Sequence, residues 1–438
     1  MSGRILKPPF ERFCDFYETK GAIWIARRLQ PYTALMAAYL RFRRIVLVSN
    51  IGEAAGHIIV DVDFFCHLKF SGALDEGKRY WWLHRPRDDS NAIAALYSHV
   101  FDYCGVGYIV YYLFLPNILM RRGEFLDVGS SRLKHHLPEV LGADAEPIDE
   151  PPFRSQISKA EGYRQWLAYY DLKRRNGVAH PFQEGPNWPL PKSLTVLRSR
   201  PDAPLALIHI RLRNGINATA RRTDAETYVP TLEFLRDEGF EMLLVGREDL
   251  PDSFRKLGVI DYPKSRLTCY ENDLRLFSNA AFAVTAGSGI ALLADIWEVP
   301  LVYTNYWHLS MCLFSKNCIL LPSLVDDPTG HPLTFTEQID LYMNRLDFGP
   351  EVFPDGYTVR NATADEILSA SQEALALAMA PTPRTPRQQA FADVHRDGLM
   401  GLSRARVGKY FVDRHVDRFG DRSRADHDCA AGVAGTGS

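Results

Sequence analysis

Residues 204–211 read PLALIHIR: a proline, an apolar run, then a histidine and an arginine two positions apart. An apolar run of this length, opened by Pro and closed by charge, predicts a strand buried on both faces of a parallel sheet. The pattern outside it repeats the theme. Asp224 is placed to cap a helix over residues 225–238, Gly239 to stop it, and residues 241–246 (EMLLVG) form the next strand. A short strand at 259–261, a helix over 271–279, a strand at 281–285 (AFAVT) and a helix over 290–297 follow. Strands at 300–304 (PLVYT) and 318–321 (CILL) come last. This rhythm predicts a Rossmann-like domain over residues 196–345.

The N-terminal half reads the same way in weaker form. Residues 45–48 (IVLV) are a short buried strand followed by Gly52 and Gly56, and residues 79–84 are a second. A helix is expected over 91–103, a strand and helix start within the apolar 105–120, and a helix over 158–174. The fold class is therefore α/β, with two Rossmann-like domains facing a cleft and a C-terminal helical tail. The predicted boundaries are amphipathic helices at 1–42, a first domain at 43–175, and a linker at 176–195 rich in Pro and Gly. Beyond the second domain come a crossover and helices at 346–419, with a Pro-rich spacer at 380–387 and a helix at 404–417, and a disordered tail at 420–438.

Composition narrows the function classes. The formal net charge is -2 with 24% charged and 46% hydrophobic residues, an ordinary globular balance in which nothing global argues for nucleic acid. Seven cysteines, odd in number and without a C-x-x-C pair, fit thiols in a reducing compartment, and a cytoplasmic protein is expected. The stretch 105–120 is too short for a bilayer crossing and is broken by Pro116. Residues 1–42 interleave Ile23, Trp24, Ile25, Leu29, Leu35, Met36, Tyr39 and Leu40 with Arg27 and Arg28. They are read either as helices covering the first domain or, over residues 20–44, as a peripheral contact with an anionic membrane.

The chemistry gathers at strand ends. His209, Arg211 and Arg213 share one face if the strand persists, at the carboxyl end where open α/β sheets bind ligands. An arginine fork suits diphosphate oxygens, and Arg221 and Arg222 lie further along the same connection. The turn Gly287-Ser288-Gly289 lets a backbone approach phosphate at a helix start. His209, Gly246, Tyr262, Glu298 and Asn305 are candidate contacts to nucleoside or sugar. In the first half Glu53, His57 and Asp63 are candidate bases for an acceptor hydroxyl. Asp61-Val62-Asp63 also forms a D-x-D, which could share a divalent ion from a strand end. On a helix the two carboxylates diverge by about 200°, and the preceding strand–glycine turn favours the helix. No metal and no cofactor are expected.

The pieces H-I-R (209–211), R-x-x-D (221–224), TYVPTLEFL (227–235), VIDY (259–262), G-S-G (287–289), E-V-P (298–300) and T-N (304–305) together resemble bacterial glycosyltransferases distantly similar to fucosyltransferase-like enzymes. That resemblance implies a GT-B-like arrangement, Arg211 on the donor diphosphate, a GDP-sugar as the first donor to test, and a glycan or lipid-linked acceptor in surface polysaccharide synthesis. Asn214-Gly215 stands where many fucosyltransferases carry an acidic residue, so GDP-fucose itself is not implied. The expected function is metal-independent sugar transfer from a nucleoside-diphosphate sugar to a hydroxyl. Sugar-nucleotide epimerisation, or non-catalytic binding of a sugar nucleotide or glycan, is the alternative.

Overall fold

The computed structural model describes residues 22–49, 55–83, 92, 96–105, 114, 117, 123–128, 159–178, 180–181, 188–212, 222–309, 312–343 and 355–420. The chain divides into two compact units, Met1–Gln165 and Trp166–Ser438. Each is an α/β unit built on a parallel sheet, as the strand–helix rhythm predicts.

In unit 1 the described elements are α1 (Ala22–Phe42), β1 (Ile45–Ser49), α2 (Ala55–Phe70), β2 (Arg79–Leu83), β3 (Tyr103–Gly105) and β4 (Glu124–Asp127). The sheet runs β3-β2-β1-β4, all parallel. Helix α2 is apolar on every side, so the fold surrounds it: Ile58, Ile59, Val62, Phe65 and Cys66 are all fully buried. Asp61, Asp63 and His67 are buried with it. Asp63 and His67, one turn apart, pair at 3.5 Å with both side chains wholly enclosed, as buried ionisable groups must. Of the helix expected over 91–103, the described residues 92, 96 and 97 are helical, 98–102 form turns and bends, and the last residue, Tyr103, opens β3 instead.

Helix α3 (Lys159–Asn176) crosses the division between the units. The described end of the linker predicted at 176–195 is held within unit 2: Asn279 donates to the Trp188 carbonyl at 2.9 Å, and Arg275 to that of Pro189 at 3.2 Å.

Unit 2 continues with α4 (Lys192–Leu197), β5 (Leu205–His209), α5 (Val229–Asp237), β6 (Glu241–Leu244), α6 (Asp252–Lys256), β7 (Ile260–Asp261), α7 (Tyr270–Ser278), β8 (Phe282–Ala286), α8 (Ala291–Ile296), β9 (Leu301–Tyr306) and β10 (Cys318–Pro322). Then come β11 (Leu324–Asp326), α9 (Phe335–Met343), β12 (Thr358–Arg360), α10 (Ala364–Met379), α11 (Pro386–Asp393), α12 (Leu399–Leu402), β13 (Arg406–Val407) and α13 (Lys409–Arg414). The helix expected over 225–238 opens as a 3₁₀ turn, Ala225–Tyr228, whose cap Asp224 accepts from the Glu226 amide; α5 follows with Pro230 in its first turn. Gly239, at φ +86°, ends it in the left-handed conformation that glycine adopts without strain.

The seven-stranded sheet of unit 2 runs β13-β10-β9-β8-β5-β6-β7, parallel throughout. Counted along the chain this is 7-6-5-4-1-2-3, the doubly wound order with one strand added, and it reverses direction between β5 and β8. The added strand is a correction to the sequence reading. Residues 404–417 form β13 and then the short α13 rather than one helix, and residues 385–387 of the expected spacer begin α11 behind a Thr385–Gln388 capping box. Arg384 donates to the carbonyls of Ser403 and Ala405, and Gln388 to that of Val407, so this segment is fastened where it joins the sheet. Near the end of the described chain the buried Arg418 donates to the carbonyls of Val325 and Leu333 and to Asp326.

Candidate functional site

The site grows out of β5. All five of its residues are buried, and so is the following Ile210; Arg211 is the first to reach partial exposure. Its backbone is clasped. The Arg211 amide donates to Thr223 Oγ1 at 3.2 Å, and the Thr223 amide returns a bond to the Arg211 carbonyl at 2.7 Å. The chain thus leaves and rejoins the sheet at one fixed point, and Arg211 is presented there. Its Nη1 donates to the Gly287 carbonyl at 3.3 Å. The arginine and the glycine turn, 76 residues apart in sequence, meet across the β5/β8 junction where the strand order reverses. That junction, at the carboxyl ends of the strands, is where doubly wound sheets open a crevice for ligands.

Gly287 is required by space rather than by backbone angle. A Cβ built there would lie 2.6 Å from the Asn305 carbonyl oxygen, closer than any real contact. The turn after β8 therefore rests directly on the end of β9. Asn305 supports it from an unusual conformation, φ +57°, with its side-chain oxygen accepting from the Ala362 amide at 3.2 Å. Ser288 is half-buried and Gly289 exposed, so the turn's outer backbone faces outward beside Arg211. Helix α8 behind it has six residues, so the dipole expected from a full helix over 290–297 is correspondingly small. Buried Asp295 anchors α8 by accepting from the Phe314 and Ser315 amides at 2.7–3.1 Å.

His209 is 6% exposed and stands in register with Thr285 of β8. On its other side, at φ +100°, lies Gly246, where a Cβ would come within 2.8 Å of the imidazole Cδ2. The His209 Nδ1 has no hydrogen-bond partner among the described residues. Burial, and then the neighbouring Arg211 charge, pull its pKa down to about 3. The imidazole is neutral at physiological pH, able to accept or donate one hydrogen bond but adding no charge to a diphosphate. Its ring resonances are expected to stay constant in an NMR titration from pH 8 to pH 5, while an ordinary histidine titrates near 6.5. Because the folded state resists this proton, unfolding gains one below that pH, and His209 lowers stability there as acid is added. A midpoint near 6.5 for His209 would contradict this electrostatic picture.

No family model matches the chain, and no curated protein does. Solved structures do. The chain is distantly similar in structure to a heptosyltransferase. The E. coli heptosyltransferase WaaC with ADP matches at 12% identity and TM-score 0.34, over 64% of this chain and 90% of that one. The same enzyme with ADP-2-deoxy-2-fluoro heptose matches at 14% identity and TM-score 0.34, over 66% and 94%. The fucosyltransferase-like expectation rests on the sequence motifs.

Of the remaining sequence candidates, several lie elsewhere. Glu298 follows α8 and precedes β9, which puts it at the amino edge of the sheet, opposite Arg211 and Gly287. There it meets Lys316 and Arg404 at 3.6 and 3.4 Å. Tyr262 is fully buried with its hydroxyl donating to the Leu267 carbonyl, so it is core and offers no face to a base. Asn305 is also fully buried and acts as the support just described. In unit 1, Asp61 and Asp63 sit within α2 and are enclosed, which separates the D-x-D carboxylates and withdraws Asp63 from any acceptor. Among the described residues no group of three or more His, Cys, Asp or Glu side chains is arranged to hold a metal ion. Glu53, Arg213 and Arg221 lie outside the described residues; His57 is in the first turn of α2, with its side chain outside them.

One supporting residue was not foreseen. Tyr228, fully buried in the 3₁₀ turn, bonds Thr304 Oγ1 at 2.5 Å, and Thr304 donates to the Thr285 carbonyl at 3.4 Å. It ties the return of the β5 connection to the ends of β9 and β8. Its one sequence cue was an aromatic just ahead of Val229-Pro230 at a helix start.

Proposed function

We propose that unit 2 binds the diphosphate of a nucleoside-diphosphate sugar between Arg211 and the Gly287–Gly289 turn, and that the chain is a GT-B-like glycosyltransferase. The observation that carries this is the convergence of a partly exposed guanidinium and a glycine turn at the reversal point of a doubly wound sheet. In the proposed reaction an acceptor hydroxyl oxygen attacks the anomeric carbon and its proton passes to a base. The bond from that carbon to the diphosphate oxygen breaks, and the nucleoside diphosphate leaves. Arg211 carries the charge that develops on the departing diphosphate, so transfer proceeds without a metal. Arg213 and Arg221 are further candidates for that role, and Glu53 or His57 for the base, on sequence grounds alone. A GDP-sugar donor and a glycan or lipid-linked acceptor for surface polysaccharide are the finer part of the reading, carried by the H-I-R motif.

A thermal-shift screen with GDP, UDP, ADP, CMP and their sugars, with and without EDTA, tests it. One nucleoside diphosphate is expected to raise the melting temperature equally in both conditions. No shift with any of them would overturn the donor site, and a shift abolished by EDTA would overturn the metal-free mechanism. Interconversion of a bound sugar nucleotide without acceptor would make the chain an epimerase instead.

A further inference from the structure

Helix α1 has two apolar faces, and the fold uses one. Thr33, Ala37 and Leu40 turn inward and are buried, with Leu40 against Gly123. On the outer side Tyr32, Leu35, Tyr39 and Phe42 are 59, 68, 43 and 83% exposed. Their spacing of three, four and three residues sets them in one stripe along the helix. The sequence pattern could not separate these roles: it grouped Leu40 with Leu35 and Tyr39 and passed over Phe42.

Along the helix and the two residues after it, charge has a single sign. From Ala22 to Arg44 there is no Asp or Glu, against Arg27, Arg28, Arg41, Arg43 and Arg44. Arg41 and Arg43 are exposed at the end of the helix, and Arg44 approaches Asp75 only to 4.0 Å. Large apolar side chains held together in water mark a contact surface. A second copy of the same face would set arginines against arginines. An anionic bilayer satisfies both features at once, taking aromatic and aliphatic side chains at its headgroup boundary and arginines on its phosphates. No helix among the described residues is long and apolar enough to cross a membrane, so this contact is one of lying on the surface.

We propose that the outward face of α1 rests on a bilayer rich in anionic phospholipid, inserting Leu35, Tyr39 and Phe42 and placing Arg41 and Arg43 on the phosphates. This stands independently of the donor reading in unit 2. The test is co-sedimentation of the full chain with vesicles of phosphatidylglycerol and phosphatidylethanolamine, and with vesicles of phosphatidylcholine. Binding to the anionic vesicles is expected, at least about tenfold stronger than to phosphatidylcholine and weakened by about 0.5 M NaCl. Leu35→Ser/Tyr39→Ser/Phe42→Ser should reduce partitioning on the order of 100-fold, and Arg41→Gln/Arg43→Gln roughly fivefold per arginine. Melting temperatures should not move, since all five side chains are exposed. Absence of anionic-vesicle binding, equal binding to phosphatidylcholine, or unchanged binding by the serine variant would overturn the proposal. So would a wild-type dimer in analytical ultracentrifugation that the serine variant splits without lipid binding, which would assign the stripe to a second copy.

Discussion

Arg211→Ala is expected to weaken nucleoside-diphosphate binding by about 100-fold and to lower kcat/KM by a further factor of about 10 or more. The first figure follows from losing charge-assisted hydrogen bonds to phosphate, each about 1.5–3 kcal/mol where the donor is ionised. The second follows because charge on the leaving diphosphate grows in the transition state, so the guanidinium contributes more there than in the ground state. The stability cost should be modest, about 1.5 kcal/mol for a charge-assisted but long bond to the Gly287 carbonyl, at the low end of that range. Arg211→Lys separates charge from geometry: it keeps the cation and loses the planar fork, so recovery should be partial. Calorimetric titration with the nucleoside diphosphate gives the binding term, and initial rates give the other. Affinity within twofold of wild type in Arg211→Ala would remove this residue from the donor site.

The second large effect is expected at Gly287. Alanine there must push its Cβ against the Asn305 carbonyl, and that oxygen belongs to backbone that cannot rotate away. Overpacking of this kind costs about 1–3 kcal/mol, and a backbone neighbour puts Gly287→Ala at the upper end. In a unit of this size that is a fall in melting temperature of about 5–10 °C. The turn has to lift off β9, which also moves its outer backbone relative to Arg211, so donor affinity should drop about tenfold or more at temperatures where the variant is folded. Circular dichroism and calorimetry on one preparation distinguish the two effects. A variant that melts and binds like wild type would show that the turn is not fixed as described. Gly246→Ala provides a comparison from the other side of the site, where the obstacle is the His209 ring and the backbone is at φ +100°.

Much of unit 2 was legible because its strands are continuous apolar runs separated by helices with capping residues. Such runs specify burial on both faces, and parallel order follows from the crossovers. The meeting of Arg211 with Gly287 was also legible, since both follow strands and the carboxyl ends of parallel strands share one edge. The same logic fails for Glu298. It lies eleven positions beyond Gly287, but one helix returns the chain to the opposite edge, so closeness in sequence becomes distance in space. Tyr262 and Asn305 misled differently: one follows β7 and the other lies near the end of β9, both at the carboxyl edge, yet burial turned one into core and the other into a support for a turn. Strand β13 could not have been read at all. Two residues, Arg406 and Val407, carry no periodicity, and their place beside β10 is held by Arg384, ahead of α11, and Gln388 within it.

That last strand bears on how the molecule comes into being. On the ribosome, β10 emerges some eighty residues before the segment that completes its outer side. Through that interval the nascent chain carries an unpaired strand edge of Cys318-Ile319-Leu320-Leu321, the kind of template on which neighbouring chains associate. The half that folds from the most legible sequence is therefore the one whose sheet waits longest for its last strand.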